Sequence, residues 1–181
     1  MTDLRTARML ARYNAWADRE IFDAVAALPP GEAEKKRASL FKSMIGTLNH
    51  NLVVDLIWRA HIEGRPHGFT ARNVIMHAVL PELRAAQEAF DAWLIDWADA
   101  QSEASLNEIV EVRFISGKKG RVSRADMLLH IVNHTTYHRG WVAEMFFEVP
   151  ARCPAADLPD FLIDVSQDWG DSGLSAAARS G

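Results

Sequence analysis

Three histidines on one predicted helix could bind a metal ion. The segment from Ser123 to Glu148 carries His130, His134 and His138 at steps of four residues. Side chains four apart project from the same side of a helix, because one turn takes about 3.6 residues. By this angular count His134 and His138 lie within the apolar stripe of the helix, whereas His130 lies at its margin. The pair His134 and His138 can therefore chelate a metal, although histidines on an apolar face are also common as ordinary core residues.

A histidine on an earlier predicted helix could complete the site. His50 shares a helical face with Gly46, Val53, Val54 and Ile57. One histidine facing two others gives three nitrogen ligands, which suit zinc, nickel, copper or iron. Zinc held by three histidines keeps an open position, where it lowers the pKa of bound water to about 7 and can also take a thiolate.

Several other chemistries lack their sequence patterns. Thr135 follows His134, so the glutamate of an H-E-x-x-H metalloprotease is missing. No carboxylate lies at the ligand spacing of a two-histidine, one-carboxylate iron site. Phosphate-binding and dinucleotide-binding glycine motifs are absent, and Cys153 and the serines have no nucleophile context.

Three segments of the chain resemble the DinB-like (YfiT-like) metalloenzyme family. They are YNAWA at Tyr13–Ala17, T-L-x-H at Thr47–His50, and N-H-x-x-Y-H-R-G at Asn133–Gly140, the most specific of the three. The resemblance covers about residues 5 to 165. It implies that His50, His134 and His138 bind one divalent metal per chain, with His130 outside the ligand set. Zinc is the first expectation for the metal, and nickel or iron are alternatives.

The resemblance also implies a class of reaction. Characterised relatives include transferases that move a low-molecular-weight thiol onto an electrophile, and others are similar to hydrolases. We therefore expect a metal-dependent enzyme that activates a thiol or water against a small-molecule substrate. Tyr137 is the candidate proton donor, and Tyr13 is a candidate for lining the metal cavity. Asn133 and Arg139 are expected to be structural, with Arg139 bridging to a helix end. The alternative is a non-catalytic bundle that binds a metal or small ligand for structural or sensing purposes.

The periodicity of the chain predicts an all-α four-helix bundle with long crossover connections. The predicted long helices are Thr2 to Leu28, Leu40 to Glu63, Pro81 to Trp97, and Ser123 to Glu148. Alternating residues around Val110 to Phe114 predict a small β-hairpin before the last long helix. A short C-terminal helix is expected near Leu158 to Val165. The bundle should occupy residues 1–165 as one domain, followed by a partly disordered tail at 166–181.

The second predicted helix is apolar on two sides. Its second stripe comprises Phe41, Ile45, Leu48, Leu52 and Leu56, opposite the face that carries His50. A helix that is apolar nearly all round must be covered nearly all round. If His50 faces the bundle, a second copy of the chain could cover the other stripe. A homodimer is therefore expected, and the resemblance also implies one.

Composition limits the partners and the compartment. The chain has 181 residues, a formal net charge of −4 and one cysteine, and its pI is near 6.0. A negative net charge without a run of basic residues offers no positively charged surface for nucleic acid or an anionic membrane. The lone Cys153 forms no internal disulfide, and no apolar segment is long enough to span a bilayer. These features predict a cytoplasmic protein with neither a nucleic-acid nor a membrane partner.

Overall fold

A computed structural model describes residues 2–165 of the chain. Four long helices are present: α1 Leu4–Ala26, α2 Met44–Ile62, α3 Leu80–Asp99 and, after the short α4 Glu103–Leu106, α5 Arg124–Met145. A hairpin of β1 Ile109–Arg113 and β2 Lys119–Ser123 precedes α5. A 3₁₀ turn, Phe146–Glu148, follows α5. The C-terminal segment consists of α6 Leu158–Asp160, which continues as a π-helical segment, Phe161–Val165. The predicted architecture is confirmed, while the tail predicted at 166–181 lies outside the described residues.

Local capping signals set the starts of three long helices. The side chain of Asp3 accepts a hydrogen bond from the backbone N–H of Thr6, and Ser43 does the same for Gly46. Ser123 accepts from the backbone N–H of Asp126 at 3.1 Å. Each cap satisfies an amide that has no partner within the helix. The start predicted for the last long helix at Ser123 is confirmed.

Each long helix packs against two others. Helix α1 contacts α3 and α5, and α2 contacts the same two helices from the other side. Many fully buried apolar side chains lie between them, among them Ile21, Leu48, Leu52, Leu83, Phe90, Leu94, Met127 and Ile131. Phe161 of the C-terminal segment closes this core against Tyr13 and Trp16. Among the described helices, none has the length and apolarity to cross a bilayer.

The second stripe of α2 is covered within a single chain. Ile45, Leu48 and Leu52 are each at most 6% exposed without any second copy. Leu56, the last residue of the stripe, is half-buried, so little of the face from which the homodimer was inferred is uncovered. Homodimerisation stays a prediction that sedimentation can test. The helix also begins at Met44, not at Leu40, so Phe41 belongs to the preceding turn and not to this stripe.

The hairpin is a regular antiparallel pair. Its register runs from Ile109 opposite Ser123 to Arg113 opposite Lys119, so each strand has five residues. Val112 is 2% exposed and belongs to the hydrophobic core, which fixes the hairpin to the bundle. Charged side chains alternate with it along both strands.

Candidate metal centre

Three histidines from two helices converge beside the bundle core. One potential ligand nitrogen from each of His50, His134 and His138 lies within 4.8 Å of the others. Their ring centroids are 4.5–5.0 Å apart. His130 stacks on His134 at 5.6 Å on the side away from this cluster of ligand atoms, and it is exposed. The structure therefore brings together the three residues that were predicted as metal ligands and leaves His130 outside them.

A backbone carbonyl orients the His50 ring. The Nδ1 atom of His50 lies 2.8 Å from the carbonyl oxygen of Arg72, in the long connection between α2 and α3. A carbonyl oxygen can only accept, so Nδ1 carries the proton in this contact and Nε2 keeps its lone pair. Such a second contact is the usual way in which proteins fix the tautomer of a metal-binding histidine.

The other two histidines have buried nitrogen atoms without partners. Nδ1 of His134 and Nδ1 of His138 are inaccessible and have no hydrogen-bond partner among the described residues. Leaving a polar atom unpaired away from water costs about 1–3 kcal/mol. Both atoms belong to rings that face His50, so a bound cation is a natural partner for the cluster. The donor set fits a divalent transition metal, for which neutral imidazole is a preferred ligand.

Burial keeps the three imidazoles neutral. It lowers the pKa of His134 to about 3 and that of His138 to about 4, and charge repulsion from the neighbouring histidines adds to the effect. Burial also lowers the pKa of His50, against the opposing effect of its bond to the Arg72 carbonyl. Neutral rings offer lone pairs, so protons compete weakly for the ligand atoms near pH 7.

These pKa values predict an acid-dependent loss of stability in the metal-free protein. Between pH 6.5 and about 4, the unfolded chain binds protons at these histidines and the folded chain does not, so the free energy of unfolding decreases as the pH falls. We expect thermal midpoints measured with a chelator to fall more steeply for the natural chain than for His134→Asn, which cannot titrate there. The titratable groups that the two proteins share affect both curves equally, so the difference between the curves reports on His134. Parallel curves for the two proteins would contradict the prediction.

An aromatic wall flanks the histidines. The ring of Phe41 stacks on His50 with centroids 4.1 Å apart and also contacts the edge of His138. Gly46 makes this position possible, because a Cβ there would overlap the carbonyl oxygen of Phe41. Trp141 lies next to both rings, 4.7 Å from His138 and 5.8 Å from Phe41. The wall limits the access of water to the cluster from the side of α5 and the Phe41 turn.

A solvent-connected cavity opens on the cluster. Its volume is about 650 Å³, and its lining includes Phe41, Arg72, Tyr137 and the three histidines. Tyr137 is 60% exposed, and its ring lies 5.1 Å from that of His138. Arg72 is exposed at the same cavity and makes no ion pair within the described part of the chain. A small molecule could thus reach the histidines beside a phenol and a cation.

Tyr13 lies away from this cavity. Its hydroxyl donates a hydrogen bond to the carbonyl oxygen of Ala156 at 3.0 Å, and its ring is buried against Trp16 and Phe161. Among the described residues that line the histidine cavity, Tyr13 does not appear. The contacts of Tyr13 instead join α1 to the C-terminal segment.

A second polar cluster, which sequence reasoning missed, fills the centre of the bundle. It is a network of buried side chains from all four long helices: Asn14, Asp18, Asp55, Gln87, Asp91, Thr135 and Arg139. Arg139 donates to Asp18 at 2.9 Å and to Asn14 at 3.1 Å. Its partners are side chains within helix α1, which corrects the expectation that Arg139 bridges to a helix end. We call this set the core polar network.

The core polar network contains more carboxyl groups than cations. Burial raises the pKa of Asp18, Asp55 and Asp91, and for Asp55 and Asp91 the charge of Asp18 adds to the rise. Arg139 donates a hydrogen bond to Asp18, and its charge opposes the increase in the pKa of that carboxyl group. Burial therefore favours the neutral forms of Asp55 and Asp91, whereas the ion pair with Arg139 favours the charged form of Asp18.

Sequence patterns did hold a signal for the core polar network. Asn14 and Asp18 lie four residues apart on α1, and Gln87 and Asp91 repeat that spacing on α3. Both pairs fall within runs of buried apolar positions, where polar residues need partners. Two such pairs on facing helices predict a shared hydrogen-bond network. Arg139, which directly follows His138, is a cation that such a network could bind.

Fold and site together define a helical bundle with a three-histidine cluster suited to a divalent metal. Comparison with known proteins agrees with this class. The sequence model of the DinB family matches residues 1–165, so the chain belongs to the DinB family. It is also similar to Protein DinB of Bacillus subtilis (strain 168), with 26% identity over 140 residues that cover 75% of this chain and 81% of that protein.

Proposed function

We propose that this chain is a divalent-metal-dependent enzyme in which His50, His134 and His138 hold one metal ion. Zinc is the first candidate for the metal, with nickel and iron as alternatives. A metal bound by three imidazoles supplies Lewis acidity and lowers the pKa of a coordinated thiol or water. The reaction class is transfer of a thiol to an electrophile or hydrolysis of a small substrate.

The observation that carries this proposal is the position of the three histidines at the base of an open cavity. Their ligand atoms lie within 4.8 Å of one another, and the cavity of about 650 Å³ has the size of a small-molecule site. A purely structural metal is usually enclosed by four protein ligands. Here the described residues supply three, and the cavity leaves room for an exchangeable fourth.

Within this proposal, Tyr137 moves the proton. Its ring lies beside that of His138 at the cavity, where its hydroxyl can give a proton to a leaving group or receive one from a thiol. Arg72 holds the negative end of a substrate. Phe41 and Trp141 keep the reacting atoms away from bulk water.

The alternative is a metal that only stabilises the bundle or senses a ligand. The core polar network argues against a stabilising role, because hydrogen bonds and an ion pair already join α1, α3 and α5 at the centre of the molecule. If the metal were a structural element, its removal should lower the thermal midpoint by tens of degrees. A folded metal-free protein with a modest change in its midpoint favours the enzyme.

Activity screening of metal-loaded protein tests the proposal. Low-molecular-weight thiols would be paired with electrophilic acceptors, and small esters and amides would be offered separately. We expect turnover that decreases by about 10²-fold or more in Tyr137→Phe and is lost in His138→Ala, since proton transfer contributes such factors. The exposed Tyr137 is absent from the core, so its variant should fold. Turnover that is equal in both variants and the natural chain would refute the proposed roles.

A further inference from the structure

A second large cleft lies at the other end of α2. Its volume is about 860 Å³, and it is formed between the start of the α2–α3 connection and the β-hairpin. His61 marks its position on α2, eleven residues after His50. Eleven residues advance a helix by about 16 Å and return to nearly the same side. The cleft is therefore separate from the histidine cavity, although both open on one side of the molecule.

Positive charge is concentrated in this cleft. Its lining includes Arg65, Arg113, Lys119 and Arg121 against one carboxylate, Glu111. Arg65 forms an ion pair with Glu63 outside the cleft. The other three cations make no ion pair within residues 2–165, although Arg121 faces Glu111 across the hairpin. An excess of cations at one place in a chain whose net charge is −4 points to an anionic ligand.

The hairpin register places two of these cations against each other. Arg113 is directly opposite Lys119, and like charges at opposed positions of an antiparallel pair are destabilising. Both side chains project from the same face of the hairpin as Glu111 and Arg121, whereas Val112 and its partner position Gly120 lie on the other face. A bound anion would relieve this repulsion and accept charge-assisted hydrogen bonds from both residues.

The opposite wall combines two glycine turns with the rings of His67 and Phe69. Gly64 and Gly68 have positive φ angles of 68° and 74°, which turn the connection back over the cleft. Phe69 donates its backbone N–H to Nδ1 of His67 at 3.0 Å, and the two rings are nearly parallel. This wall can pack against the body of an organic molecule while the hairpin binds its charged groups.

We infer that the cleft between the α2–α3 connection and the β-hairpin binds a small organic anion with at least two negative charges, carried by phosphate or carboxylate groups. Its volume is within the range of small-molecule sites, and its cations are grouped and do not form a stripe along the surface. A nucleic acid would need a larger basic surface than these few cations provide in a chain whose net charge is −4. The site does not depend on the metal or on the reaction at the three histidines.

Calorimetric titration with pyrophosphate and with citrate tests this inference on the full chain. We expect at least one anion to bind, and the double variant Arg113→Gln with Lys119→Gln to raise its Kd by about tenfold or more, because two charge-assisted hydrogen bonds are lost. Lys118→Gln is the matched control. It removes one positive charge from the same hairpin at a residue that does not line the cleft, and it should change the Kd by less than about twofold. The preferred anion identifies phosphate or carboxylate as the ligand group.

Four outcomes would overturn the inference. Absence of binding by both anions is the first, and an unchanged Kd in the double variant with a normal thermal midpoint is the second. The third is preferential binding of a single-stranded oligonucleotide. The His138→Ala variant separates the two sites: binding should persist there, whereas its loss would mean that the anion had bound at the histidine cluster.

Discussion

Replacing His138 by alanine is expected to reduce the metal content of the purified protein from about one equivalent per chain to below about one-tenth. His50→Ala and His134→Ala should have the same effect, because each variant leaves only two of the three nitrogen ligands that lie within 4.8 Å of one another. Elemental analysis after dialysis against a metal-free buffer measures the content directly.

His130→Ala is the matched control for this experiment. It removes an imidazole from the same helix, one turn before His134, but its ring lies outside the ligand cluster. We expect this variant to retain its metal. Retention of metal by His138→Ala would contradict the proposed ligand set, as would loss of metal from His130→Ala alone.

Arg139→Met should destabilise the protein by about 3–5 kcal/mol, because it leaves the buried Asp18 without its cation. Arg139 and Asp18 are both 3% exposed, and no other cation faces Asp18 within the described residues. Urea unfolding followed by circular dichroism gives the change in the free energy of unfolding. Methionine keeps most of the side-chain volume, so the loss of charge dominates the effect.

A double variant separates the ion pair from packing. Asp18→Leu combined with Arg139→Met removes both charges, and replacing a buried pair by apolar residues is often neutral or stabilising. We therefore expect the double variant to recover most of the loss seen in Arg139→Met, with a coupling energy that a double-mutant cycle measures. A loss below about 1 kcal/mol in Arg139→Met would show that the pair is not the centre of the core polar network.

Short-range patterns were sufficient to predict the helices and the histidine pair on the last long helix. The step of four residues between His134 and His138 fixes their common side. The second helix is apolar on two sides, so its pattern left its orientation open, and the family resemblance identified His50 as the third ligand. The alternation at Val110, Val112 and Phe114 likewise predicted the hairpin, since a period of two is specific to strands. Each of these features depends on the geometry of a single element.

Features that depend on connections or on several helices were not predictable in the same way. Phe41 reaches His50 because the chain turns at Lys42, whose φ is 69°, a conformation that few residue types favour. The carbonyl that orients His50 comes from Arg72 in a connection with no periodicity. The core polar network requires four helices to meet, so its partners could not be assigned before the packing was known.

Anomalous diffraction from a crystal of the metal-loaded protein, recorded at the absorption edge of the bound metal, tests the central claim most directly. We expect one anomalous peak per chain, about 2.0–2.1 Å from an imidazole nitrogen of each of His50, His134 and His138. A peak bound elsewhere, or one that any of the three rings fails to reach, would contradict the account.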